Sequence, residues 1–169
     1  SEVGAIPTHT LNDGHTLPAV GFGTWPLRGE DGIAAMVAAL EAGYRLIDTA
    51  VNYENEQEVG EALRRSGLPR DQVQVTSKIP GRHHGYDDAI RSTHESLERL
   101  GLDYLDLHLI HWPNPSQRKY VEAWRALVDL REQGLVRSIG VSNFTPEHLG
   151  RIITETGVTM TGCAIRFEH

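Results

Sequence analysis

The sequence predicts an α/β fold of the parallel βα-barrel type, with a β-hairpin at its N-terminal end. Two observations predict it: short β-type runs alternate with amphipathic helical runs, and polar residues follow the strand candidates at a regular spacing. One strand–helix unit takes about 30 residues, which is typical of parallel strands joined by right-handed crossovers. No linker or low-complexity tract interrupts the pattern, so residues 1–169 are predicted to form one domain.

The hairpin is predicted over Thr8 to Leu17, around the turn Asn12-Asp13-Gly14-His15. The Asp-Gly pair supplies the positive φ angles that a tight turn between antiparallel strands requires. A hairpin placed before the first βα unit is suited to close one end of a larger fold.

Five strand candidates follow the hairpin, each with a helix candidate after it. In three of the helix candidates, the apolar residues recur at a spacing that places them on one face of the helix. The strand candidates are Ala19 to Gly23, Tyr44 to Asp48, Val73 to Lys78, Tyr104 to Ile110 and Leu135 to Val141. The helical faces hold Ile33, Met36, Val37 and Leu40, then Ile90, Thr93, Leu97 and Leu100, and then Leu149, Ile152 and Ile153.

Several helix boundaries carry signals of their own. Asn55, with a glutamate three residues later, is typical of a capping box at the start of a helix. Thr145 followed by Pro146 predicts a cap and a proline at the first helical position. Gly134 and Gly157 stand where they can end helices.

Composition argues against several classes of main partner, although it leaves local basic pockets possible. Sixteen Lys and Arg against 23 Asp and Glu give a net charge of -7, which argues against a nucleic-acid or anionic-membrane surface. Cys163 is the only cysteine, so no intramolecular disulfide is expected. No apolar run reaches the roughly 18 residues of a bilayer span, and no signal-peptide pattern opens the chain. We therefore expect a cytoplasmic protein.

Polar residues at the ends of the strand candidates are the strongest functional signal. Asp48, Lys78, His111 and Ser142-Asn143 each end a different strand, at separations of 30, 33 and 31 positions. In a parallel barrel the carboxyl ends of all strands meet at one rim, where active sites are assembled. The spacing therefore predicts that these side chains share one mouth.

Alternation along one strand separates two histidines. His111 shares a face with Leu109, toward the mouth, whereas His108 lies on the opposite face, toward the helices. Because the two faces diverge, and because no cysteine or carboxylate spacing completes four ligands, neither this pair nor His83-His84 predicts a zinc site.

Several long motifs occur in an order that resembles the aldo-keto reductases. They are Gly21 to Trp25, Gly43 to Glu56, Lys78, Asp106 to Pro113 and Ile139 to Phe144. The resemblance spans about residues 8 to 159, and among bacterial members the chain is most similar to the 2,5-diketo-gluconate reductase-like branch. Several motifs in order are far more specific than one glycine fingerprint.

The resemblance implies a (β/α)8 barrel of the TIM type that binds NADPH and reduces a small aldehyde or ketone to an alcohol by hydride transfer. It implies four catalytic residues: Asp48, Tyr53, Lys78 and His111. The ordinary pKa of a tyrosine is about 10, so Tyr53 as the general acid would need a cation such as Lys78 to favour its phenolate. Asp48 would keep Lys78 charged, and His111 would orient the carbonyl oxygen.

The resemblance also implies binding residues at the same rim and requires no metal. The choice of NADPH over NADH rests on the resemblance alone. The nicotinamide end of the cofactor site would be lined by Gly23, Thr24, Asp48, Ser142 and Asn143. The substrate would be bound by Trp25, Tyr53, His111 and Trp112, with the two tryptophans as apolar walls.

Other interpretations of the same residues stay open. Asp48 and Lys78 could form a structural ion pair without proton transfer, and Tyr53 could be an ordinary loop tyrosine. The alternatives for the whole chain are a noncatalytic cofactor-binding member of the same fold and an inactive fragment or interaction module.

The chain holds fewer βα units than the resemblance implies. Eight units take about 250 residues, whereas five units and part of a sixth are found here, and the tail Met160 to His169 lacks the Asn-Gln dipeptide of the family's sixth strand. We therefore expect a truncated barrel with impaired activity. Its open edges would be covered by self-association, by exchange of elements between copies, by a substitute strand from Gly162 to Phe167, or by a remainder of the chain that is missing here. Uncovered, the inner face would meet water through Leu105, Leu107 and Leu109.

Overall fold

A computed structural model of the chain describes residues 8–10, 14–113 and 119–156. Within these ranges strands and helices alternate in the predicted order. The strands are β1 (Thr8–Thr10), β2 (Thr16–Pro18), β3 (Phe22–Gly23), β4 (Leu46–Asp48), β5 (Gln74–Ile79), β6 (Leu105–Ile110) and β7 (Val136–Val141). The helices are α1 (Gly29–Glu41), α2 (Glu56–Ser66), α3 (Tyr86–Leu100), α4 (Tyr120–Glu132) and α5 (Pro146–Thr156).

Strands β3 to β7 form one parallel sheet in which neighbours along the chain are neighbours in space. The register sets Ile47 beside Val75, and Lys78 beside Leu109. A helix lies in each connection between consecutive strands, as parallel pairing requires. The α/β prediction is confirmed. Among the described residues the sheet ends at β3 and β7 without closing on itself.

The main core lies between this sheet and the helices. Met36 on α1 and Trp124 on α4 are completely buried in it, which is the packing expected of large apolar side chains on helix faces that meet a sheet. The face predicted for α5 is only partly correct, because Ile152 is buried and Ile153 is 44% exposed.

The predicted hairpin is present as an antiparallel pair of β1 and β2, with His9 opposite Leu17. Most of its predicted turn, 11–13, lies outside the described residues. The hairpin packs against the inner face of the sheet through Leu17, which clusters with three leucines of β4 and β6. In addition, His15 Nδ1 lies 2.9 Å from Oγ of Ser138, the third residue of β7.

The inner leucines of β6 do not meet water. Leu105, Leu107 and Leu109 are each at most 1% exposed, so the inner face that was expected to need a cover is covered at these positions. Part of the reason is the hairpin, because Leu17 packs in one cluster with Leu107 and Leu109. The proposed substitute strand from Gly162 to Phe167 lies outside the described residues.

Two helix boundaries follow the sequence signals. The Thr145 hydroxyl accepts the His148 N–H at 3.3 Å, and the His148 ring accepts the Thr145 N–H at 3.3 Å, which is a reciprocal cap at the start of α5. Gly134 follows α4 with a φ of 82°, a conformation that favours glycine after a helix. Gly157 lies outside the described residues.

The capping box predicted at Asn55 is wrong. Asn55 precedes α2, but its side chain makes no capping bond to that helix. Glu58 accepts the backbone N–H of Gly29 at 3.0 Å instead, and the amide of Asn55 is hydrogen-bonded to two other loops. Long-range partners therefore replace the local cap.

A close helix contact leads to a stability prediction at Gly60 on α2. A Cβ atom there would lie 2.5 Å from the backbone oxygen of Leu100, the last residue of α3. We expect Gly60→Ala to lower the free energy of unfolding of the full-length natural protein by about 2 kcal/mol or more, because backbone atoms cannot move aside cheaply.

Gly150 on α5 is the matched control for this change, because an added Cβ there meets nothing within 4 Å. Gly150→Ala should raise the free energy of unfolding by up to about 1 kcal/mol, the ordinary helix preference for alanine. Urea unfolding of both variants measures the difference. A Gly60→Ala protein as stable as the natural protein would contradict the tight contact.

Candidate active site

The carboxyl ends of β4 to β7 bring the predicted polar residues to one edge of the sheet. Asp48 is the last residue of β4, Lys78 is the second-last residue of β5, and His111 and Ser142 directly follow β6 and β7. The parallel ladder extends past the strand ends, since His111 and Ser142 still donate their backbone N–H groups to neighbouring strands. The prediction of a shared rim is confirmed in its geometry.

Lys78 is at the centre of this cluster, and its side chain is completely buried. Its Nζ donates to Asp48 Oδ1 at 2.9 Å, to the Thr49 backbone oxygen at 3.2 Å and to Tyr53 Oη at 3.3 Å. A buried ammonium is costly unless it is paired, and Asp48 supplies a carboxylate oxygen 2.9 Å from the lysine nitrogen. The predicted ion-pair distance between Asp48 and Lys78 is confirmed.

Tyr53 reaches the cluster through a tight turn between β4 and α2. Residues Val51–Tyr53 form one turn of 3-10 helix, and Glu54 takes a left-handed conformation with a φ of 55°. Arg28 holds this turn from outside: its Nη2 donates to the Tyr53 backbone oxygen at 3.4 Å and to the Glu54 carboxylate at 2.9 Å. The reversal of the chain places the buried phenol beside Lys78.

Two aromatic side chains, His111 and then Trp112, extend from the phenol toward the surface. The rings of His111 and Tyr53 meet edge to face with centroids 6.0 Å apart, and the Trp112 ring stacks on His111 at 6.3 Å. His111 is buried, whereas Trp112 is 47% and Trp25 is 64% exposed. The surface therefore presents two large apolar side chains on segments that follow β3 and β6.

The residues predicted at the cofactor site lie in two places: Ser142 and Asn143 follow β7, and Gly23 and Thr24 lie at the end of β3. Ser142 and Asn143 lie beside His111, because Asn143 Nδ2 donates to the His111 backbone oxygen at 3.3 Å and to Ser142 Oγ at 3.0 Å. Gly23 ends β3, and a Cβ there would meet nothing within 4 Å, so its surroundings are open. The Thr24 side chain is instead enclosed: its hydroxyl donates to the Asp48 backbone oxygen at 2.9 Å.

His108 lies on the helix side of the sheet, as strand alternation predicts. It is completely buried, with Nε2 2.9 Å from Thr93 Oγ1 of α3 and Nδ1 3.0 Å from the Ser77 backbone oxygen. Burial lowers the pKa of His108 to about 4. The described residues contain no group of three or more side chains suited to hold a metal ion.

Sequence reasoning missed two polar side chains that hold the turn carrying Tyr53. One is Asn55. The other is Glu56, which is buried and accepts hydrogen bonds from Arg99 of α3 at 2.7 Å and from the Ser77 hydroxyl of β5 at 2.7 Å. The sequence did carry one signal for Glu56. It lies on the same face of α2 as Val59 and Gly60, which are buried, so a charged side chain at this position is expected to face the core. No local signal identified the partners of Asn55.

The buried histidines lead to a prediction about acid stability. Burial lowers the pKa of His84 to about 4, to which repulsion by His83 adds, and burial lowers that of His108 to about 4. Unfolded histidines have pKa values near 6.5, so between pH 6.5 and 4 the unfolded state binds more protons. We expect the free energy of unfolding to fall as pH falls through this window, by up to about 1.4 kcal/mol per pH unit for each histidine.

Urea unfolding of the full-length natural protein at a series of pH values measures this slope. His108→Gln should flatten it, because glutamine does not titrate. His94→Gln is the matched control for the loss of a histidine side chain, since His94 lies exposed on the same helix, α3. An unaltered slope in His108→Gln would contradict the burial of a neutral His108.

Fold and site together define a parallel βα protein with an aspartate, a lysine, a tyrosine and a histidine gathered at the carboxyl ends of its strands. The chain belongs to the aldo/keto reductase family, whose sequence model matches residues 19–165. The resemblance found in the sequence is thus confirmed. None of the described helices has the length and apolar character needed to cross a membrane.

Relatives and solved structures agree with this assignment. The chain is 60% identical over 154 residues to 2,5-diketo-D-gluconic acid reductase B of Corynebacterium sp., covering 91% of this chain and 56% of the relative. An aldo/keto reductase from Brucella melitensis is 46% identical with a TM-score of 0.88, covering 92% and 61%. A Bombyx mori aldo-keto reductase, solved in complex with NADP, is 38% identical with a TM-score of 0.80, covering 91% and 56%.

These shares mean that the chain spans about half the length of the curated relatives it matches.

Proposed function

We propose that the natural protein reduces aldehydes or ketones to alcohols with NADPH, and that Tyr53 is the general acid. The observation that carries this proposal is the contact between a completely buried ammonium and a phenol: Lys78 Nζ lies 3.3 Å from Tyr53 Oη and 2.9 Å from Asp48 Oδ1. A structural ion pair needs only the carboxylate. The phenol as a further partner favours an acid–base role.

The residues of this chain account for the proton side of the reaction. Tyr53 donates its hydroxyl proton to the carbonyl oxygen as that oxygen becomes an alkoxide, and the Lys78 ammonium stabilises the phenolate that is left behind. Asp48 holds the ammonium in place through the 2.9 Å contact between its Oδ1 and Lys78 Nζ. His111, whose ring meets that of Tyr53, orients the carbonyl oxygen toward the phenol.

The rim residues fit a nicotinamide cofactor, which supplies the hydride when it is bound. Ser142 and Asn143 bring a hydroxyl and an amide next to His111, which is a donor and acceptor set suited to a carboxamide. The open space at Gly23 leaves room beside the end of β3. The complex of the Bombyx mori relative with NADP supports the same class of cofactor.

A further part of the proposal concerns the whole protein. We propose that residues 1–169 belong to one barrel domain, that small carbonyl compounds are its substrates, and that 2,5-diketo-gluconate is one compound to test, as the Corynebacterium relative suggests by its name. Neither nucleic acid nor a membrane is proposed as a partner. A cytoplasmic location stays a prediction from the sequence.

The proposal is tested by assaying NADPH oxidation by the full-length natural protein with a series of aldehydes and ketones.

Trp112 stacks on His111 and is half exposed, so we propose that it forms a wall of the substrate cleft. Trp112→Ala should change the ratio of kcat/KM between a bulky and a small carbonyl by about tenfold or more, while NADPH affinity changes little. Equal losses on both substrates with weaker NADPH binding would assign Trp112 to the cofactor instead.

A further inference from the structure

We propose that Asn55 is a positioning residue of this site: its buried amide joins the loop after β3 to the backbone that surrounds Lys78. This inference rests on the proposed reductase function. Asn55 stands two residues after Tyr53 and is completely buried. It touches none of the reacting atoms and acts through Thr24 and Thr49.

The amide of Asn55 is hydrogen-bonded at both ends. Its Nδ2 donates to the backbone oxygens of Thr24 at 3.0 Å and Leu27 at 3.1 Å, and it lies 3.1 Å from Thr24 Oγ1. Its Oδ1 accepts the Thr49 hydroxyl at 2.6 Å. A buried amide that loses these partners pays the cost of desolvation, so the four contacts hold each other in place.

The Thr49 contact leads directly to the ammonium. The backbone oxygen of Thr49 accepts from Lys78 Nζ at 3.2 Å, and its backbone N–H donates to Thr76 of β5 at 2.8 Å. Thr49 is therefore held from both ends, by β5 through its backbone and by Asn55 through its hydroxyl. Loss of the hydroxyl contact would free the carbonyl that helps to orient Lys78 beneath Tyr53.

The Thr24 contacts lead to the rim. Thr24 donates its hydroxyl to the Asp48 backbone oxygen at 2.9 Å, and Trp25 lies between Thr24 and Leu27, the two residues whose carbonyls Asn55 binds. The same amide thus fixes the backbone of the Lys78 partner Asp48 and the loop that presents the exposed Trp25. A helix cap would do neither, and Asn55 makes no capping bond.

The experiment uses the full-length natural protein and four variants, with kcat and KM measured on a small aldehyde well below the unfolding temperature of each variant. Thr49→Val removes the hydroxyl while keeping the shape of the side chain, and Thr49→Ser keeps the hydroxyl. Asn55→Ala removes all contacts of the amide. Asn52→Ala is the matched control, because Asn52 lies on the same turn but is exposed and contacts Arg82.

We expect Thr49→Val to lower kcat about tenfold with little change in KM, because a small displacement of the acid–base groups is costly to the chemical step. Thr49→Ser should stay within about twofold of the natural protein. Asn55→Ala should lower kcat at least as much and also raise KM, because it loosens the Trp25 loop as well. Asn52→Ala should match the natural protein.

Natural values of kcat and KM in both Thr49→Val and Asn55→Ala would overturn the inference, even if their melting temperatures fell, because that pattern shows a purely structural role. Should Asn55→Ala fail to fold, the Thr49→Val and Thr49→Ser pair decides the question alone. Failure of the proposed function has a different signature: the natural protein itself would reduce no carbonyl compound, or Tyr53→Phe would be fully active.

Discussion

Replacing Tyr53 with phenylalanine is expected to lower kcat for carbonyl reduction by at least about 10²-fold, the usual scale for the loss of a positioned acid. Lys78→Met should have an effect of similar size, because it removes the ammonium that lies 3.3 Å from the phenol oxygen. NADPH affinity should change much less in both variants. Steady-state kinetics and fluorescence titration with NADPH measure the two quantities in the full-length natural protein.

Two controls belong with this experiment. Tyr86→Phe removes a phenol hydroxyl at the start of α3, where it donates to Asp129, and should leave kcat unchanged. Lys78→Met leaves Asp48 buried without its lysine, which destabilises a fold by several kcal/mol in comparable cases. Its melting temperature must therefore be recorded before its kinetics are interpreted. Turnover at the natural rate in Tyr53→Phe would end the assignment of the acid.

A polypeptide of these 169 residues alone is expected to reduce aldehydes at no more than background rate and to bind NADPH at least about 10²-fold more weakly than a complete family member. The described sheet has five parallel strands and ends at β3 and β7, whereas a closed barrel of this type needs eight. A polypeptide with fewer units would lack the cofactor contacts that the other units of a closed barrel contribute. If β3 and β7 stay unpaired in that polypeptide, their edges should promote self-association.

Light scattering on a polypeptide of verified mass tests the association, and an NADPH titration with an aldehyde assay tests the activity. A family member with a closed barrel is the reference in each measurement. The prediction fails if the short polypeptide is a monodisperse monomer that binds NADPH at micromolar concentration and turns over an aldehyde at about 1 per second or faster.

Spacing along the chain was enough to predict the rim. Asp48, Lys78 and His111 recur at the period of a βα unit, and a parallel sheet sends the ends of all its strands to one edge. Alternation was enough to separate His108 from His111, because neighbouring positions in a strand face opposite sides whatever their partners are. The βα period and the alternation of side chains along a strand can be read from sequence, because each needs only the positions of residues within the elements themselves and no knowledge of their distant partners.

The role of Asn55 could not be read in this way. A local rule predicted a helix cap, but the amide nitrogen donates to the carbonyls of Thr24 and Leu27, 31 and 28 positions earlier. Glu56 similarly binds Arg99, 43 positions later. Which distant donors and acceptors meet depends on how two loops and two helices pack, and no periodicity along the chain reports it.

The sequence by itself determined the alternation of strands and helices, the family of the chain, and the residues that end each strand, because these follow from local periods and from motifs. Only the tertiary structure decided that the hairpin packs Leu17 against the inner leucines and that Lys78 is surrounded by Asp48, Thr49 and Tyr53. The physical reason is desolvation. A buried ammonium, a buried amide or an apolar face must find a partner in space, and the fold as a whole determines which one lies within reach.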